Sequence, residues 1–157
     1  MAAKEQNVKI LVKNRKAYSF YEIVDKFEAG MALLGTEVKS VREGKISIKE
    51  AYCRIEKGEI FLINSTIAEF THANINNHDP VRNRKLLLHK WQINRITKKI
   101  NEKGFTCIPL QVYVLRNRIK IEIALVKGKK EYDRKADIKR RDMKRDLEKQ
   151  MKELNRG

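Results

Sequence analysis

Cysteine is nearly absent. The chain has two in 157 residues, Cys53 and Cys107, and no Cys-x-x-Cys pair, which excludes a disulfide framework and a four-ligand structural zinc site. Each cysteine stands among apolar, strand-like neighbours, so buried reduced thiols are expected. No apolar run approaches the roughly 20 residues that cross a bilayer. Residues 1–11 hold lysine and glutamate but no apolar core of an export signal. The expectation is a cytoplasmic chain without membrane or cofactor, in which Asn64-Ser65-Thr66 is no glycosylation site. Phosphate-cradling glycine loops and Gly-x-Ser-x-Gly elbows are missing, which argues against catalysis. Helix-turn-helix spacing, zinc-finger ligands and basic-zipper heptads are missing too, which argues against the common DNA-reading modules. Aromatics make up only 7% of the chain, so base stacking along a single strand is not its main theme. Acidic residues are also scarce: 20 Asp and Glu face 36 Lys and Arg, a net charge of +16. Such an excess repels itself in a compact protein unless a polyanion neutralises it. Nucleic acid, and RNA rather than DNA, is the polyanion that fits.

What is present is mostly strand. Residues 118–126 alternate, with Arg118, Lys120 and Glu122 on one side and Ile119, Ile121, Ile123 and Leu125 on the other. That period of two marks a half-buried strand. Residues 106–114 supply its partner, with Thr106, Ile108, Leu110, Val112 and Val114 expected on one face and a turn at Arg116-Asn117. A second hairpin joins 51–56 to 59–63 through Lys57-Gly58. Further strands are expected at 9–13, 19–27 and 67–70. About six short strands make the fold class mainly β: an OB-like antiparallel barrel with flanking helices. One helix is expected near 36–43, capped by Thr36 and ended by Gly44. A longer one is expected over 83–102, where Leu86, Ile93, Ile96 and Ile100 form a stripe before Gly104. The barrel thus occupies 1–126. Residues 127–157 carry thirteen Lys or Arg against seven Asp or Glu and show no strand pattern. Their apolar residues, Met143, Leu147, Met151 and Leu154, are too few to hold a helix alone. The expectation is a basic tail, disordered when free and helical on a partner; a C-terminal helix docked on the barrel is the alternative.

Basic residues of the barrel fall into three clusters: Lys13, Arg15 and Lys16; Arg82, Arg84, Lys85, His89 and Lys90; and Arg116, Arg118 and Lys120. Each alone reads as a solvated surface. Together they predict salt-sensitive phosphate binding, with a compact barrel reading folded RNA by shape and splayed bases. His72, His78 and Asp79 share one loop and raise an acid–base or metal reading. No second carboxylate cluster or nucleophile accompanies them, and Asn76-Asn77-His78-Asp79-Pro80 has strong turn chemistry. Turn residues are the better account.

Four blocks, taken in order, resemble the SmpB family. They are Asn14-Arg15-Lys16-Ala17; Phe27-Glu28-Ala29-Gly30 followed by Gly35-Thr36-Glu37-Val38-Lys39-Ser40-Val41-Arg42; the run from Asn77 through His78-Asp79-Pro80 to Lys90; and the run from Lys127 through Gly128 to Lys135. The resemblance implies an OB-type barrel that holds the tRNA-like domain of tmRNA and delivers it to stalled ribosomes. It also implies a tail that probes the decoding centre and the empty mRNA channel, with elongation factor Tu as a further partner on alanyl-tmRNA. A structural protein of the ribosome is the alternative. By position, the RNA face would include Asn14, Glu28, Leu87 and Lys120, joined by Arg15, Lys16, Arg82, Arg84, Lys85 and Arg118 from the basic clusters. Leu87 has a core reading beside a base-packing one, and Glu28 a reading as structural acceptor. The ribosome residues would be Gly128, Lys129, Lys130, Asp133, Arg134 and Lys135, then the stripe Met143, Leu147 and Met151. The family commonly has Asp-Lys-Arg where this chain has Asp133-Arg134-Lys135, and Arg and Lys are not equivalent at bidentate contacts.

Overall fold

The computed structural model describes residues 8–71, 77–102 and 104–128, with Arg145 and Lys149 beyond them. Among these residues run nine strands and three helices: β1 (Val8–Lys13), α1 (Arg15–Phe20), β2 (Tyr21–Met31), α2 (Gly35–Arg42), β3 (Ile46–Ser47), β4 (Tyr52–Glu56), β5 (Glu59–Ile63), β6 (Thr66–Ile67), β7 (Arg84–Leu87), α3 (Lys90–Ile100), β8 (Phe105–Leu115) and β9 (Arg118–Gly128). Seven strands form one antiparallel sheet in the order β1-β8-β9-β2-β7-β5-β4, and β3 pairs with β6 separately. β4 comes back against β8, so the sheet curls into an OB-like barrel. Both expected hairpins are present. Their two-residue turns, Lys57-Gly58 and Arg116-Asn117, all adopt positive φ (51°, 76°, 51° and 64°), the backbone twist that suits a tight hairpin.

Cys107, Val112, Ile121, Ile123 and Leu125 point into the main core with Phe27, Ala29 and Leu86. Ile108 and Leu110 lie on the opposite face of β8, in a smaller cluster with Ala17, Ala124 and Val126. The expected single face over 106–114 is therefore split. An irregularity between Pro109 and Gln111 inserts one residue into β8 and inverts the alternation. Proline fits there, since it has no N–H to give a regular ladder. Asn14 holds the irregularity: its backbone N–H donates to Leu110 O (2.7 Å) and its Nδ2 to Pro109 O (3.1 Å). Both cysteines are buried and free.

Four boundaries depart from expectation. Residues 19 and 20, expected to open a strand, instead end a helix, because α1 covers the second face of β8 and β9 with Ala17. The strand expected at 67–70 is only β6. α2 starts at Gly35, and Thr36 does not cap it; Glu37 reaches back instead to the amide of Leu34 (2.8 Å). The helix expected over 83–102 is two elements. Residues 84–87 alternate buried and less buried as β7 between β2 and β5, so sheet pairing overrides the helical propensity of Lys-Leu-Leu. The true helix starts after His89, whose amide is bonded by Gln92 Oε1 (3.0 Å). An 11-residue helix is marginal alone. Docking of the fully buried Ile96 against the core holds it, with Ile93 and Ile100 beside it.

One buried charge cluster joins α2 to β7. Glu37 and Arg84 are fully buried. The Arg84 Nε donates to Glu37 Oε2 (2.8 Å). Its Nη1 reaches Ser65 O (3.1 Å) and Oγ (3.2 Å), and its Nη2 reaches the carbonyls of Asp79 and Pro80 (both 3.1 Å). Arg82 adds Nε to Glu37 Oε2 (3.0 Å) and an ion pair through Nη2 to Oε1. Burial alone would raise the Glu37 pKa, but hydrogen bonds from Arg82, Leu34 and Arg84 pull it below its ordinary 4.5. A carboxylate depressed on folding contributes stability above its unfolded pKa, and loses it as pH falls through the folded value. Glu37→Gln should cost roughly 3–5 kcal/mol at neutral pH, because it strands two arginines. In denaturant titrations over a pH series, the wild type should lose stability below pH 4.5 and the variant should show a flatter profile there; parallel profiles would contradict this account.

Candidate nucleic-acid interface

Cross-strand register places side chains of distant sequence on one surface. Leu87 on β7 faces Gly30 on β2; Gly30 faces Lys120 on β9; Lys120 faces Tyr113 on β8; and Tyr113 faces Ile10 on β1. A second row beside it runs Glu28, Glu122, Gln111 and Lys13. Glu28, Leu87 and Lys120 therefore meet on one surface. They line a groove of about 650 Å³ with Glu59, Lys85, His89 and Gln92. Leu87 is 51% exposed, which removes its core reading. Lys120 borders two more hollows, one with Arg116 and Arg118 and one with Arg42 and Asn117. Arg42 Nη2 donates to Asn117 O (2.7 Å) and ties α2 to the last hairpin. The surface thus offers lysines for phosphate, an apolar shelf at Leu87 and a carboxylate acceptor at Glu28.

Other expected residues are elsewhere. Arg84 cannot face RNA: its side chain is fully buried and all five of its N–H donors are taken by protein acceptors. Burial lowers its pKa, countered by Glu37. Arg82 is held on Glu37 and on the carbonyls of Asn83 and Ala32. Lys85 stays half exposed, paired with Glu59 at 3.1 Å. Asn14 is buried under α1 rather than displayed. With Lys16, Phe20, Lys49 and Tyr52 it lines a separate hollow of about 490 Å³. Arg15 is exposed at the start of α1. His78, from the loop weighed for catalysis, is buried and structural: Nε2 donates to Ile67 O (2.9 Å), and Nδ1 is hydrogen-bonded with the Thr36 hydroxyl (2.9 Å). His72 lies outside the described residues. Gly128 closes β9 opposite Tyr21, inside the sheet rather than in the tail. Lys129, Lys130, Asp133, Arg134, Lys135, Met143, Leu147 and Met151 lie outside the described residues.

Three residues of the surface escaped the sequence reading. Glu122 is directly opposite Glu28; its place on the polar side of β9 was legible, its partner was not. Tyr113 is nearly buried and its hydroxyl donates to Glu28 Oε2. Gly30 leaves the groove floor bare, and a Cβ there would stand 3.3 Å from Leu87 Cβ.

Compared with known proteins, residues 11–153 match the model of the family described as SmpB protein. The chain is 47% identical over 157 residues to the SsrA-binding protein of Caldanaerobacter subterraneus subsp. tengcongensis, covering 100% of this chain and 99% of that one. It is 50% identical over 143 residues to the SsrA-binding protein of Aquifex aeolicus, covering 90% and 91%. A solved structure described as "tmRNA-SmpB: a journey to the center of the bacterial ribosome" contains a chain 44% identical, with a TM-score of 0.64 over 76% of this chain and 85% of that one.

Lys120 and Arg84 make a contrasting pair. Lys120→Ala should change folding stability by no more than about 0.5 kcal/mol and lower the log–log salt slope of RNA binding by about one charge. Arg84→Ala should instead cost roughly 3–5 kcal/mol of folding stability. Thermal melts and salt titrations of RNA binding check both; a stability loss at Lys120 would remove it from the surface.

Proposed function

The chain belongs to the SmpB protein family, and from that membership we propose that it binds the tRNA-like domain of tmRNA and delivers it to stalled ribosomes for trans-translation. The observation that carries this reading is the match of nearly the whole chain to SsrA-binding proteins, together with the surface where Glu28, Leu87 and Lys120 converge.

The division of labour follows from charge and folding. The barrel recognises RNA: Lys13, Lys120 and Arg118 neutralise phosphate, Leu87 packs on a base, and Glu28 accepts hydrogen bonds while turning misplaced phosphate away. The residues after Gly128 act on the ribosome. There Lys129, Lys130, Arg134 and Lys135 bind ribosomal RNA, Asp133 orients the segment, and Met143, Leu147 and Met151 form the apolar side of a helix in the empty mRNA channel. The protein acts by binding, without catalysis of its own. No helix among the described residues is long and apolar enough to cross a membrane.

At equal salt, the full chain should bind the tRNA-like domain of tmRNA more tightly than an ordinary tRNA. Equal affinities would reduce it to a general RNA binder. A chain ending after Gly128, where β9 ends, should keep that affinity and lose tagging in a translation assay on a message lacking a stop codon. Tagging by the truncated chain would overturn the two-part division.

A further inference from the structure

Glu28 and Glu122 stand opposite each other on β2 and β9, an arrangement that costs a sheet stability. Beside them, Tyr113 is only 6% exposed and donates its single hydroxyl proton to Glu28 Oε2. Burial first, then the Glu28 contact, pushes the phenol well above its ordinary range, so it remains a donor at neutral pH. No other side chain among the described residues hydrogen-bonds the Glu28 carboxylate, so Oε1 is open to a ligand.

We propose that Tyr113 is a positioning residue that aims Glu28 at the N1–H and N2–H edge of an unpaired guanine in the bound RNA. The inference rests on the assignment of this groove to RNA. An ionised carboxylate only accepts hydrogen bonds and repels phosphate, so it must meet a donor edge. Guanine alone sets two donors side by side, one for the open Oε1 and one for the second lone pair of Oε2. Adenine and cytosine place an amine next to an acceptor nitrogen, and uracil flanks its one N–H with two carbonyls. The adjoining acceptor of guanine, O6, suits a lysine, and Lys120 lines the same groove as Glu28. Gly30, between Lys120 and Leu87 in the register, leaves room for a flat ring against the half-exposed Leu87. Unstacked bases of folded RNA are what proteins read in this way.

The test uses the full chain and a synthetic tRNA-like domain of tmRNA. Tyr113→Phe keeps the buried ring and removes one proton. It should weaken binding about tenfold (about 1.4 kcal/mol) by releasing Glu28 from its aimed position, leave the salt slope unchanged, and lower folding stability by no more than the loss of one hydrogen bond. In a Glu28→Ala background the same change should cost nothing more, because Tyr113 acts through Glu28. Glu28→Gln, at an exposed position where folding is not at issue, should weaken binding comparably. Replacing unpaired guanines one at a time by inosine, which lacks the N2 amine, should identify one position that weakens the wild type and leaves Glu28→Ala unaffected. Wild-type affinity in Tyr113→Phe, a loss that adds in full to that of Glu28→Ala, or no sensitive guanine each overturns the proposal alone. A wild-type chain with no preference for the tRNA-like domain overturns the RNA assignment itself, and the proposal with it.

Discussion

A carboxylate buried between two guanidinium groups sets the geometry on which the surface depends. Glu37 is inaccessible to solvent, and an unpaired ion there would cost several kcal/mol. Its partners, Arg82 and Arg84, leave the cluster one positive charge in excess. The backbone carbonyls of Ala32, Ser65, Asp79, Pro80 and Asn83 absorb that charge as hydrogen-bond acceptors. Lysine has neither the planar fork nor the five donors for this task. The cluster fixes α2, the segment before β7 and the start of β7 relative to one another. Once Arg84 is buried, the alternation of a strand turns the following side chains to set positions: Lys85 to Glu59, Leu86 to the core, and Leu87 to the groove. A cluster closed to solvent thus aims the side chains that line the groove.

The same logic separates what the sequence could disclose from what it could not. Alternation in 118–126 disclosed β9, and with it the outward placing of Arg118, Lys120 and Glu122. The hairpin turns were legible because two-residue turns restrict their residue types. Long-range pairing was less legible. Arg84 and Lys85 look like two members of one basic cluster; only the pairing of β7 with β2 and β5 buries one and exposes the other. A run such as Arg-Lys-Leu-Leu-Leu satisfies helix and strand alike at short range, and the sheet decides. The irregularity at Leu110 hid the phase of β8, since one inserted residue moves every later side chain to the opposite face. Asn14 braces that inserted residue through its backbone N–H and the preceding Pro109 through its side chain, a structural duty that its place in a basic motif concealed.

The charge of the chain also divides. Within the barrel, several lysines and arginines are matched: Lys85 with Glu59, Arg54 with Glu56, Arg95 with Asp25, and the pair around Glu37. Lys13, Arg118 and Lys120 lie on the surface that includes Glu28 and Leu87, and the residues after β9 hold a further twelve Lys or Arg against seven Asp or Glu. Basic side chains with carboxylates in their midst are a poor surface for indiscriminate phosphate binding and a good one for a folded RNA with an exposed base.

Backbone amide resonances, recorded as the tRNA-like domain of tmRNA is titrated into the protein, test this account most directly. It predicts that the largest shifts fall at residues 28–30, 85–89, 111–113 and 118–122, where the four strands of the groove meet. Shifts confined to the hollow around Asn14, Lys16 and Tyr52, with the groove unchanged, would contradict it.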